Sequence, residues 1–133
     1  MPYIFSQAAG ALFASYILKQ LFPGSLILGA TLPSGTALQS FVLEIILTFI
    51  LMLVILKAGK TLHGKKVLAA SVIGGVVFLE ALFAGPVCGA SMNPVRSFAP
   101  AVVNNHLQYL WIYLTAPFIG ALLAVLLFKI FKQ

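Results

Sequence analysis

Apolar residues fall into four long blocks, near 3–21, 38–56, 67–84 and 109–131. None shows the two-residue alternation of a half-buried strand. Each is long enough to cross a ~30 Å hydrocarbon layer as a helix. Polar interruptions are few: Glu44 and Thr48 in the second block, Glu80 in the third, Pro117 and Gly120 in the fourth. The stretch between the third and fourth blocks, residues 85–104, behaves differently. Asn93 followed by Pro94 predicts a helix start, since Asn caps well and Pro loses nothing at the first helical position. A helix near 93–103 rises only ~16 Å, about half the hydrocarbon thickness. A short polar-capped helix between full spans is a re-entrant element, tolerated only where protein buries it or water meets it.

Composition supports a membrane chain. Hydrophobic residues make up 62% and charged ones 8%, with a mean hydropathy of +1.11, outside the range of soluble domains. The first block is too long for a signal-peptide core and has no basic residue before it, so it is expected to span. The picture is therefore an all-α membrane protein with four spans and one half-helix, in a single domain covering 1–133.

The net charge of +6 is localised. Lys57, Lys60, Lys65 and Lys66 crowd the connection between the second and third spans, and Lys129 and Lys132 end the chain. Both groups fall on one membrane side if four spans alternate, so the positive-inside rule puts them, and both termini, in the cytoplasm. Orientation and contact with anionic head groups account for these lysines. No folded basic face for nucleic acid is apparent. The connection 22–39 contains Pro23, Gly24, Gly29, Pro33, Ser34 and Gly35 without a charge and predicts an irregular outer loop. Small residues four apart (Gly10 and Ala14, Ala70 and Gly74, Gly120 and Ala124) predict close helix packing.

Gly89, Ser91, Asn93, Pro94, Arg96, Ser97 and Pro100 together resemble the second Asn-Pro-Ala half-helix of the aquaporin (major intrinsic protein) family. The resemblance extends over nearly the whole chain but only part of that fold. Gln7, Gly10 and Ala11 are similar to the family's third span, Glu44, Thr48 and Phe49 to its fourth, Gly74 and Gly85-Pro86 to its fifth, and Trp111, Tyr113, Pro117 and Gly120 to its sixth. The implied architecture is a partial aquaporin-like right-handed helix bundle, without the first two spans and the first half-helix. The missing half is then supplied by another polypeptide, or the chain is a truncated product; an inverted second copy fits poorly with the one-sided lysines.

The resemblance also implies roles. Asn93 donates to solutes at the membrane midplane, and Arg96 is the filter cation, with Ala81 and Ala90 at two further filter positions. Two alanines imply a wide constriction. Glu44 supports the loop before the half-helix by accepting from its backbone N–H groups, beside Gly89. Ser97 and Ala101 follow the water-channel pattern, whereas Leu114 stands where water channels carry tryptophan. Gly85-Pro86 with Gly89-Ala90-Ser91-Met92 is most similar to bacterial relatives of the nodulin-like branch, placing the chain in a bacterial inner membrane.

The function implied is passive passage of water and small neutral solutes such as glycerol, urea or metalloid hydroxides. A nonconducting aquaporin fragment and half of an ion-coupled transporter are the alternatives, the latter because broken helices and intramembrane acids also mark transporters. The assembly implied is a homotetramer in the lipid bilayer, or completion by an N-terminal half. No enzyme, cofactor or metal chemistry is expected. His63 and His106 lie on opposite sides, Cys88 has no neighbouring base, and no phosphate-cradling glycine loop occurs. Glu80 is expected to face packed protein, about 100° round the helix from Ala81.

Overall fold

The computed structural model describes residues 2–131; Lys132, counted above with the one-sided lysines, lies outside them. Five α-helices follow in order: α1 (Pro2–Leu21), α2 (Ala37–Thr61), α3 (Lys66–Cys88), α4 (Pro94–Val103) and α5 (Leu110–Ile130). Local chemistry sets the boundaries. Thr36 caps α2 by accepting the Gln39 N–H at 3.1 Å. The four-residue link 62–65, with Gly64 at φ +83°, returns the chain antiparallel into α3. That helix runs past the expected residue 84, because Pro86 removes one hydrogen bond without ending the apolar face, and it stops at Gly89, φ +84°.

Three helices, α2, α3 and α5, are both long and apolar enough to cross a membrane. Helix α1 has 20 residues, about 30 Å, but Gln7, Lys19 and Gln20 lower its hydropathy. Helix α4 has 10 residues, about 15 Å.

Helix α2 is the centre of the packing, touching α5 along a broad seam and α3 along a narrower one; α4 bridges α5 and α1. The interior mixes many small and polar residues (Ser40, Glu44, Ala84, Cys88, Ala116 and Ala124) with a few large ones (Leu47, Ile112 and Tyr113), while Phe5, Phe13, Leu82, Phe83, Phe118 and Leu122 face outward. That inversion suits a lipid solvent, where small residues let backbones approach. Of the three predicted small-residue pairs, one does so. A Cβ on Gly120 would strike the Ile45 carbonyl and lie 3.0 Å from Phe49 N and Thr48 Cβ, whereas one on Gly10 or Gly74 would meet nothing within 4 Å. Helices α1 and α3 do not touch each other. The gap between them exposes the N-terminal end of α4.

Candidate pore site

The site is built where α3 stops. Gly89 turns left-handed, and a Cβ there would fall 2.9 Å from Thr31 Cβ, so the α1–α2 loop fits only against glycine. Ala90 (φ +41°) and Met92 (φ +51°) are also left-handed, a conformation that costs L residues about 1–3 kcal/mol each and persists only when neighbours over-determine it. Glu44 is such a neighbour. Fully buried on α2, it accepts the Ser91 N–H at 2.7 Å and the Met92 N–H at 2.9 Å, one on each carboxylate oxygen. Charge-assisted bonds of this kind are about twice as strong as neutral ones. Trans peptide planes then point the Ala90 and Ser91 carbonyls away from Glu44.

Asn93 leaves the strained loop in extended conformation and caps α4. Its Oδ1 accepts the Val95 N–H at 3.0 Å and the Arg96 N–H at 3.5 Å, with Pro94 following. Capping commits the carboxamide oxygen, so the Nδ2 amide is the group left free to donate. Three hydroxyls lock this geometry. Thr31 Oγ1 donates to Ser97 Oγ at 2.7 Å, Ser97 bonds Ser91 Oγ, and Ser91 donates to the Asn93 carbonyl at 2.9 Å. Because Ser91 spends its only proton on Asn93, Ser97 must be the donor to Ser91, and the chain runs one way. Arg96 Nη1 donates to the Gly29 carbonyl at 3.1 Å, and the guanidinium is otherwise exposed.

A cavity of about 620 Å³ brings Ala81, Gly89, Ala90, Asn93 and Arg96 together, with Val77 and Leu51 completing its wall. A second, of about 320 Å³, lies across α4 and is lined by Gln7, Ala11 and Ser15 of α1 together with Gly29, Asn93 and Arg96. Asn93 and Arg96 thus border both. Pro94 lines neither cavity and acts through the helix start; Glu44 lies behind the loop it holds.

Glu80 is 3% exposed, lines neither cavity, and has no hydrogen-bond partner on either oxygen among the described residues. Its neighbours Val77 and Ala81 do face the larger cavity. Among the described residues no group of three or more His, Cys, Asp or Glu side chains is placed to hold a metal.

Sequence reasoning missed three contributors. Thr31 and Ser34 are ordinary loop hydroxyls, yet Thr31 starts the hydroxyl chain and Ser34 bonds the Val87 carbonyl through both its N–H (3.0 Å) and its hydroxyl (2.9 Å). Tyr113 donates to the Cys88 carbonyl at 2.8 Å. Helix C-termini leave orphan carbonyls, so the end of α3 called for such donors, but nothing in the loop's composition says which ones.

These features define a polytopic helical membrane protein that offers the capped end of a half-length helix to an open cavity. Residues 1–128 match the family described as major intrinsic protein, and the chain belongs to it. It is 43% identical over 120 residues to aquaporin NIP1-4 of Oryza sativa subsp. japonica, covering 90% of this chain and 44% of that protein. It is 40% identical over 131 residues to nodulin-26 of Glycine max, covering 98% and 48%, and 38% identical over 130 residues to aquaporin NIP6-1 of Arabidopsis thaliana, covering 98% and 43%. The chain spans under half the length of these relatives. They are plant proteins, so the nodulin-like likeness stands, while the specifically bacterial kinship expected from the motif finds no support among them.

Proposed function

We propose that this chain supplies one wall of a passive pore for water and small neutral solutes, with the larger cavity as the lumen. The observation that carries this is the convergence of Asn93, Arg96, Ala81 and Ala90 on one open cavity at the tip of α4. A solute there meets an amide donor, a guanidinium and the carbonyls that Glu44 turns away from itself. Cations meet Arg96 and the end of α4, which carries roughly half a positive charge. Alanine at positions 81 and 90 leaves width for glycerol, urea or an uncharged metalloid hydroxide. The names of the relatives, aquaporin and nodulin-26, support the channel class.

The gap between α1 and α3 supports completion of the lumen by further polypeptide, either an N-terminal half or other copies in a tetramer. It equally favours a second reading, in which the chain alone conducts nothing. In this proposal α1 also spans the membrane, as the first of four spans, its polar face turned to the smaller cavity, and Lys57, Lys60, Lys65, Lys66 and both termini lie in the cytoplasm. The plant relatives give no reason to specify a bacterial inner membrane.

Stopped-flow swelling of proteoliposomes tests the reading, with the purified chain alone and with the first half of nodulin-26 co-reconstituted. Glycerol and water flux that appears with the added half and is lost in Asn93→Asp sustains it. Flux equal to empty liposomes in both preparations defeats it, and saturable, ion-coupled flux moves the chain to the transporters.

A further inference from the structure

The lysines at the far end of the bundle from Arg96 lack an internal counter-charge. The chain's two acids, Glu44 and Glu80, are both buried within the helices, so no carboxylate side chain reaches this surface. Lys57, Lys60 and Lys129 end α2 and α5, and Lys65 and Lys66 begin α3. The two helix C-termini offset only about half a charge each.

The cations fall into two groups: Lys65 and Lys66 line a shallow cavity of about 550 Å³ with Val67 and Leu68 and no aromatic edge, and Lys57 and Lys60 line another. Lys57, Lys60 and Thr61 share one face at the last turns of α2, by their three- and four-residue spacing. With Phe128 and Phe131 of α5 they line a cavity of about 250 Å³. Lys57 and Thr61 also belong to an adjoining groove of about 210 Å³ whose other walls are Val54, Ala58, Leu62 and Val72. A basic, aromatic-edged pocket thus lies beside an apolar groove between α2 and α3, with Lys57 and Thr61 common to both. That junction matches a molecule with an anionic head and a hydrocarbon tail. It does not match a free anion, which has no use for the groove.

We infer that the paired ends of α2 and α5 bind one anionic glycerophospholipid, its phosphate between Lys57 and Lys60 and an acyl chain in the α2–α3 groove. The site needs no conducting pore, so it stands or falls separately from the channel reading. Lys57 and Lys60 are exposed, so their replacement leaves the bundle intact.

Native mass spectrometry of the full chain in mild detergent, titrated with phosphatidylglycerol or phosphatidylcholine of identical acyl chains, tests it. Phosphatidylglycerol binds preferentially at one site. The double variant Lys57→Gln/Lys60→Gln weakens it roughly thirtyfold, the worth of two lysines beside an anionic lipid. Lys65→Gln/Lys66→Gln, with the same loss of charge but lining a separate cavity, weakens it severalfold less. Equal losses in the two variants, equal binding of the two lipids, or displacement of the lipid by millimolar inorganic phosphate overturns the inference, as does a second copy of the chain occupying the groove in place of lipid.

Discussion

The α2–α5 seam and the α1 side of the bundle are built by opposite means. Along the seam Gly120, Ala116 and Ala124 bring backbones into direct contact, with a glycine Cα facing the Ile45 carbonyl. On the other side α1 packs on α4 alone among the helices. There the chain is held by polar contacts: Lys19 Nζ to the Val103 carbonyl at 2.6 Å, His106 Nε2 with the Leu26 carbonyl at 2.8 Å, Arg96 to Gly29, and Thr31 to Ser97. Close packing is indifferent to solute, whereas hydrogen bonds can be traded with one. Asn93 and Arg96 sit where the rigid half meets the exchangeable half. Position is fixed from behind by Glu44, and chemistry is left available in front.

The sharpest way to break that contrast is Glu44→Ala. It strips both N–H partners from Ser91 and Met92 and leaves left-handed Ala90 and Met92 unsupported, so stability falls by roughly 3–5 kcal/mol. Thermal melting in detergent reads the loss, and a melting temperature like that of the parent would refute the anchoring role. Next comes Gly120→Ala, where the added methyl overpacks the seam by about 1–3 kcal/mol. Its control, Gly10→Ala, adds the same methyl to open space on α1 and raises stability by up to about 1 kcal/mol. Similar shifts for both would mean the two sides do not differ.

Thr31→Val removes the first donor of the hydroxyl chain for about 1 kcal/mol, and Thr31→Ser restores it. Hydrogen exchange should rise at Val95 and Arg96 in the valine variant and leave α5 amides unmoved. Smallest for stability is Arg96→Ala, since the side chain is exposed and holds one carbonyl. In a complete assembly it should raise glycerol flux relative to water and weaken cation exclusion. An unchanged solute ranking removes Arg96 from the filter.

Much of this was legible in the residues. Asn93-Pro94 marks the start of α4 because capping is a local matter of one side chain and the next three amides. The length of the half-helix followed from its flanking breaks. The hydropathy of α2, α3 and α5 announced them as spans. Helix α1 is read as a span over nearly its true bounds, but the cavity that Gln7 and Ser15 line is not revealed by periodicity. What stayed hidden depends on pairing across distance. Nothing in residues 22–36 marks Thr31 as the partner of a serine 66 positions away. Small-residue spacing at Gly10 and Gly74 has no counterpart within 4 Å in this chain, since the spacing says that a helix can be approached, not that one approaches it.

The partners of Glu44 have a consequence for how the protein is made. They lie 47 and 48 residues further along the chain. A ribosome therefore delivers α2 to the translocation machinery before the loop that will satisfy its carboxylate has emerged. Helix α2 carries a bare carboxylate at that moment and becomes settled only when the loop 89–93 arrives. Quality control that samples the nascent chain in that interval would find a retention signal at this acid that later synthesis removes.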